Sequence, residues 1–403
     1  MRRVVITGQG TVNPLGKSVQ ETYDAMAKGQ CAITQLQIRD VERLSVRVGA
    51  QVQDYQAERH FSRQELVRLD RFSQFALLSA RQAAEQAGLE AGSFCKESAG
   101  VVIGTAGGGL NTWDSSYRAV YQERKNRVHP FVVPRLMNNA AASTISMQLQ
   151  LQGPTFSVST ACSSSNHAIG QAFHMIRGGA AELMFAGGSE SMICFGGIKA
   201  WESLRVMSST GCRPFSADRD GMVQGEGAAV FLLEEYSHAT ARGAQPLCEI
   251  LGFCMTSDAG DIVLPSREGA ARTMRGALAD AGIDAAEIDY VNAHGTATAA
   301  NDRIECAAIH DVFDSCVEEL RVSSTKSMHG HLIGGTGAVE LLACTLALTQ
   351  GVIAPTIGIK KQDPNCRLDV VPNKAVHSRV DFAMSNAFAF GGLNAVLVLG
   401  ASR

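Results

Sequence analysis

"VSTACSSSNHAIG", residues 158–170, sets a single cysteine, Cys162, among serines and alanines at the end of a short β-branched approach. "VSSTKSMHGHLIG", residues 322–334, repeats its outline. Laid over the first stretch, it puts Val322 on Val158, Lys326 on Cys162, Ser327 on Ser163, His331 on His167 and Gly334 on Gly170. The pattern recurs about 164 positions later, from 162 to 326, with a thiol exchanged for an amine.

Working outward, short apolar runs at 2–8, 99–105, 155–160, 183–188 and 228–235 read as strands. So do 248–253, 288–295, 321–325, 382–388 and 395–400. Residues 62–88 and 267–282 have helical spacing and end in glycine. Strands alternating with helices imply βα units and mainly parallel sheets covered on both faces. With the offset repeat, this predicts an α/β protein of two similar halves, 1–250 and 251–403. No flexible linker separates them, so they are expected to share one core.

The bulk properties fit. The chain has 403 residues, 45% hydrophobic and 19% charged, with a net charge of −3. That balance gives no global pull toward nucleic acid or anionic membrane. Eleven cysteines without a C-x-x-C pair argue against a disulfide framework and for a reducing, cytoplasmic setting. "MRRVVITGQG" lacks the apolar run of a secretory signal. Residues 136–176 carry no Asp, Glu, Lys or Arg, yet Asn, Gln, Gly, Pro and Ser interrupt the apolar letters. The stretch is therefore expected to lie inside a large protein rather than across a membrane.

A free cysteine is ordinarily a buried small hydrophobe, and a lone histidine ordinarily a core or surface residue. Here Cys162 sits at a strand-to-helix turn, where backbone N–H groups and the positive helix end favour a thiolate. His294 in "VNAHGTAT" and His331 in "STKSMHGHLIGGTG" end other strands before Gly-rich turns. A cysteine with two imidazoles is a kit for acyl transfer. His329 and His331 form H-x-H without an evident third ligand, so no metal is expected. "GTVNPLGKS" (10–18) has the wrong spacing for a P-loop, Gly8 and Gly10 lack the third glycine of a dinucleotide fingerprint, and "GGSES" (187–191) is not a nucleophile elbow.

Five stretches together resemble the elongating β-ketoacyl-[acyl-carrier-protein] synthases of the thiolase superfamily. They are "VSTACSSSNHAIG", "CRPFSADRDGMVQGEGAAVFLLEE" (212–235), "VNAHGTATAAND" (291–302), "SSTKSMHGHLIGGTGAVE" (323–340) and "SNAFAFGGLNA" (385–395). The resemblance runs nearly end to end and implies a thiolase-like fold, two pseudo-duplicated halves forming a five-layer αβαβα sandwich. It implies that Cys162 accepts the acyl chain and that His294 and His331 donate to the malonyl thioester carbonyl. Lys326 would join a charged network with Asp302, Glu305 and Glu340. Phe390 would gate the site, its N–H forming an oxyanion hole with that of Cys162. Thr296 and Thr298 would touch phosphopantetheine, the substrates' only prosthetic arm, with no cofactor on the enzyme itself.

The resemblance also implies an acyl carrier protein as partner, and a homodimer or a heterodimer with a ketosynthase-like paralogue. Nucleic-acid binding and membrane insertion are not expected. Arg63, Arg68 and Arg71, with Arg124, Lys125 and Arg127, are candidates for a basic landing patch, solvated helix faces being the plainer reading. Some letters depart from the common pattern: His329 replaces Thr, Ala389 and Leu393 flank the gate, and Val263 replaces a pantetheine-binding Thr. Trp113 and Trp201 align with acyl-pocket positions, where plain core packing is the alternative. "SMHGH", "SNAFA" and "WESLRV" (201–206) look like the nodulation and polyene-type branch, which builds unusual chains. A subunit of a ketosynthase/chain-length-factor pair is the second reading. A degradative thiolase is the third, disfavoured because its C-terminal cysteine motif is replaced by "AFAFGG".

Overall fold

The computed structural model describes residues 1–89 and 94–402. Its main sheet takes strands from ten places in the chain. They are β1 (Val4–Val12), β2 (Ala99–Gly104), β3 (Thr155–Val158), β4 (Leu183–Glu190) and β5 (Gly227–Glu235). The second set is β6 (Cys248–Ser257), β7 (Tyr290–Asn292), β8 (Arg321–Ser323), β9 (Phe382–Ala389) and β10 (Leu393–Ala401). Each falls on a run that reads as a strand in the sequence.

Their order is β8-β7-β9-β10-β6-β1-β5-β4-β2-β3. Outward from the centre the first set runs first, fifth, fourth, second, third, and the second set repeats that order. The duplication inferred from two short stretches is thus a duplication of topology. The two five-stranded sets meet only where Val4, Val5 and Ile6 pair with Ile250, Glu249 and Cys248. The sheet is mixed, which corrects the expectation of mainly parallel pairing. β2 with β3, β2 with β4, β7 with β8 and β7 with β9 are parallel. The five pairs involving β1, β5, β6 and β10 are antiparallel. The tight turn after Ala389 returns β10 against β9, a direction that apolar periodicity does not encode.

Two helices, Ser164–Arg177 and Thr336–Gln350, lie between the two sets of strands and touch both. Outer helices cover the far faces: Arg71–Gln86 packs on β1 and β5, and Arg267–Ala281 on β6 and β10. This is the five-layer αβαβα thiolase-like arrangement. Position in the middle layer explains the missing charges. Thr336 to Ala347 is buried on every side, and a helix enclosed all round is apolar except where a buried partner meets a charge, as Lys326 meets Glu340. No helix among the described residues is long and apolar enough to cross a membrane.

The structure also refines the sequence overlay. The strand ends and the turns carrying Cys162 and Lys326 correspond. The central helices begin at Ser164 and Thr336, so the second half inserts a short helix, Lys326–His329, and a further turn before its own helix. His331 therefore lies in a loop, whereas His167 lies within a helix.

The central helices approach closely at Gly337, where an added Cβ would fall 1.9 Å from Asn166 Oδ1. Asn166 is held in place by its amide, which donates to the Ser385 carbonyl at 3.2 Å. Gly337→Ala should therefore destabilise the fold by about 1–3 kcal/mol, the usual scale of overpacking. A lower denaturation midpoint checks this; an unchanged midpoint would mean that the helices have slack to separate.

Candidate active site

The polar residues after Cys162 explain its unusual setting. β3 ends at Val158, and Ala161–Ser163 form a single tight turn before the first central helix. Ala161 has φ +49°, a left-handed conformation that costs a non-glycine residue free energy. Ser163 Oγ bonds to the carbonyls of Thr160 and Leu393, both at 2.9 Å. Ser164 Oγ donates to the Ala161 carbonyl, and Ser165 Oγ to that of Gly334. The serines thus tie the strained turn to itself and to loops of the second half.

Those loops bring two histidines to the thiol. Cys162 Sγ and a ring nitrogen from each of His294 and His331 lie within 4.8 Å of one another, all three residues buried. The rings meet edge to face, centroids 5.6 Å apart. Behind them stands Lys326, fully enclosed. Its ammonium donates to the His294 carbonyl, to Glu340 Oε1 at 2.5 Å and toward His294 Nδ1 at 3.4 Å. Glu305 accepts the backbone N–H groups of His294 and Gly295, each at 2.7 Å, and fixes the loop.

These contacts assign the tautomers. His331 Nδ1 meets Thr336 Oγ1 at 2.7 Å and the Ile333 N–H at 3.1 Å; the hydroxyl could donate or accept but the N–H can only donate, so that nitrogen is an acceptor and the proton sits on Nε2. His331 Nε2 is buried and finds no partner among the described residues. Lys326 plays the same part at His294 Nδ1. Burial, with Lys326 adding to it, holds both imidazoles well below their ordinary pKa. The site therefore offers neutral N–H donors. Donors beside a buried cation suit a developing oxyanion better than a metal ion, which needs lone pairs.

Burial pushes the Cys162 thiol up to about 11, while Lys326 and the N–H groups of Phe390 and Cys162 act the other way. The turn does favour a thiolate as its geometry suggests, but burial opposes it and is the larger effect. Burial also lifts Glu340 to about 7 against the pull of Lys326. A pocket opens over these groups, and Thr296, Thr298, Val263 and Trp201 line it. Phe390 stacks on Trp201 at its wall, centroids 6.0 Å apart.

Comparison with known proteins agrees. Residues 1–239 match the family model described as beta-ketoacyl synthase, N-terminal domain, and 247–360 match its C-terminal domain. The chain belongs to the beta-ketoacyl synthase family. It is 44% identical over 396 residues to nodulation protein E of Rhizobium sp. (strain N33), with 98% of each chain covered. It is 39% identical over 404 residues to 3-oxoacyl-[acyl-carrier-protein] synthase 2 of Staphylococcus aureus (strain COL), with the same coverage. Among solved structures, the ishigamide ketosynthase/chain length factor superposes with a TM-score of 0.96 at 33% identity, both chains covered in full.

Not every residue singled out in this synthase's sequence reaches the site. Trp113 lies outside the pocket, on the helix Leu110–Tyr117, with its ring against Tyr117. Arg71 is no landing residue: it bonds to buried Glu226 at 2.6 Å and packs over Tyr55 and Phe75. Asp302 accepts the Phe215 N–H at 2.8 Å and faces Arg219 at 3.5 Å, with no bond to Lys326. Burial lifts its carboxyl to about 6. His329 donates from one ring nitrogen to the Gly330 carbonyl and pairs through the other with Thr325 Oγ1, so it braces the Lys326 turn. Burial lowers it to about 3. One buried group escaped the sequence reading: Glu190, at the end of β4, inside the "GGSES" stretch weighed only as a hydrolase motif.

With the thiol near 11, alkylation of Cys162 by iodoacetamide should quicken about tenfold per pH unit from 7 to 9. Lys326→Met removes the cation that favours the thiolate and should slow it at every pH. A rate that levels off near pH 8 would mean that the helix N-terminus outweighs burial.

Proposed function

We propose that the chain elongates a carrier-bound acyl group by decarboxylative Claisen condensation, residues 1–250 supplying the nucleophile and 251–403 the two histidines. The observation that carries the reading is the convergence of the Cys162 thiol with two neutral imidazoles whose second nitrogens are occupied.

In the first step Cys162 Sγ attacks the acyl thioester carbonyl. The tetrahedral oxyanion takes hydrogen bonds from the N–H groups of Cys162 and Phe390, placed before the charge develops. The carrier's sulfur leaves with the proton that Cys162 gives up, so the exchange is neutral overall. A malonyl thioester then enters. Loss of its carboxylate as CO₂ leaves an electron pair that moves onto the thioester oxygen as an enolate. Nε2–H of His294 and of His331 stabilise that oxygen more than the ground-state carbonyl, which is what speeds the step. The enolate carbon attacks the acyl-cysteine, and Cys162 sulfur leaves as a thiolate that takes one proton from solvent to restore the thiol.

Phosphopantetheine would run past Thr296 and Thr298, and the acyl chain against the flat stack of Trp201 and Phe390. That wall favours a planar, unsaturated chain. Exposed Arg63, Arg68, Arg124, Lys125 and Arg127 are proposed as the carrier's landing patch; Arg68 lies over the Phe131 ring, which draws the two segments together. β3 leaves one edge of the sheet open, and an open edge is a pairing surface; Tyr121, Val133 and Met137 are exposed apolar side chains that a partner could also cover. A second ketosynthase-like chain, identical or paralogous, is the proposed cover.

Intact-mass spectrometry after mixing with saturated and 2,4-dienoyl carrier thioesters should show one acyl adduct, lost in Cys162→Ala and larger in amount for the dienoyl donor. Native spectra of the same sample should show a dimer. Absence of any adduct would sink the reading, and a clear preference for the saturated donor would sink the subtype. Reversing Arg124 and Arg127 to Glu should raise KM for the carrier substrate several-fold and leave kcat unchanged; an unchanged KM removes both from the landing patch.

A further inference from the structure

The loop that holds His331 is itself strained. Ile333 has φ +48°, a left-handed conformation that a β-branched residue rarely adopts. The strain has a consequence at the site, because it is the Ile333 N–H that donates to His331 Nδ1 and so keeps the proton on Nε2. Thr336 Oγ1 also lies 2.7 Å from Nδ1 and helps to place the ring, but a hydroxyl can donate or accept, so it is whatever holds Ile333 in this conformation that decides the tautomer of His331.

The next peptide is clamped from both sides. The Gly334 N–H donates to Glu190 Oε2 at 3.1 Å, and the Gly334 carbonyl accepts from Ser165 Oγ. Residue 334 must be glycine here, since an added Cβ would lie 2.4 Å from the Ala106 nitrogen. Glu190 is fully buried, and its two oxygens collect four donors. Besides Gly334 these are Thr105 Oγ1 at 3.0 Å and the N–H groups of Ala106 and Gly107 at 2.7 and 3.2 Å. The carboxylate thus joins the loop after β2, in the first half, to the His331 loop of the second. A leucine or an alanine could pack at the end of β4, but neither could accept four bonds.

We propose that Glu190 is a positioning residue for the decarboxylation half of the reaction: by holding Gly334 it keeps Ile333 left-handed and His331 in its Nε2–H tautomer. This rests on the function proposed above, in which His331 serves decarboxylation and not acyl transfer to Cys162. Glu190→Gln is the direct test. It keeps the shape but turns an NH₂ toward N–H donors, which cannot bond to it.

In the full chain, Glu190→Gln should acylate Cys162 at a rate within about threefold of the unaltered protein. Decarboxylation of a malonyl-carrier thioester should fall about 100-fold, the scale of a misplaced catalytic group. The ring ¹⁵N shifts of His331 should show Nδ1 unprotonated before the change and a mixture of tautomers after it. Ser165→Ala, which removes the other clamp on residue 334, should give the same split and serves if Glu190→Gln does not fold, whereas Ile333→Gly, free of the left-handed penalty, should lessen the loss when added to Glu190→Gln. Equal loss of both half-reactions, or an unchanged His331 spectrum, overturns the proposal. If the unaltered protein neither acylates nor decarboxylates, the underlying reading fails, and the His331 spectrum still decides the role of Glu190.

Discussion

A buried cation governs this molecule. The Lys326 ammonium lies in the middle layer of the sandwich with no access to water, and an unpaired charge there would cost far more than the fold's net stability. Its partners are therefore obligatory. Glu340 supplies the counter-charge from the second central helix, and the His294 carbonyl turns toward it from the loop after β7. Removing either partner would strand a buried charge, the most destabilising way to break such a pair. The geometry that satisfies Lys326 is the same geometry that presents His294 Nε2 to Cys162, so stability and alignment of the site rest on one set of contacts.

The cation also sets the chemistry of its neighbours. It disfavours a second positive charge nearby, which together with burial keeps His294, His329 and His331 neutral. It favours negative charge at Cys162, though burial is the larger effect in the resting state. A site that is dry, carries one fixed cation and offers neutral N–H donors stabilises anions that form during reaction more than anything present before it. That is the property which oxyanion and enolate intermediates require.

All ten strands of the main sheet are legible in the sequence because β-branched runs buried on both faces carry their own signal. Strand direction is not. It depends on turns such as Phe390–Gly392, whose two glycines at φ +81° and +68° send β10 back along β9. At the site, Cys162 and His294 stand just past strand ends and beside polar turns, a pattern that can be found by reading; His331 shares the glycine-rich setting but lies beyond the short helix Lys326–His329, which the strand pattern does not show. Glu190 cannot be found that way, because its partners lie 83 to 144 positions away and only the fold assembles them. Arg71 misleads for a related reason: an arginine in a charged helix looks solvated until buried Glu226 is seen across from it.

Backbone strain marks three turns of the site. Ala161 precedes Cys162, Ala297 lies between Thr296 and Thr298, and Ile333 follows His331 by two residues; all three have positive φ. Each costs of the order of 1–3 kcal/mol, so such residues persist only where surrounding bonds overdetermine them. Here the bonds are visible. Ser163 and Ser164 hold the turn at Ala161, and Glu190 with Ser165 holds that at Ile333. Thr298 caps the helix Ala299–Phe313 while its hydroxyl pairs with that of Thr296 at 2.9 Å, which fixes the turn at Ala297. The serines that crowd Cys162 in the sequence are thus explained by mechanics rather than by reactivity: a thiol and two imidazoles can converge in a dry core only if the turns that carry them are forced, and forced turns need hydroxyls and carboxylates close at hand.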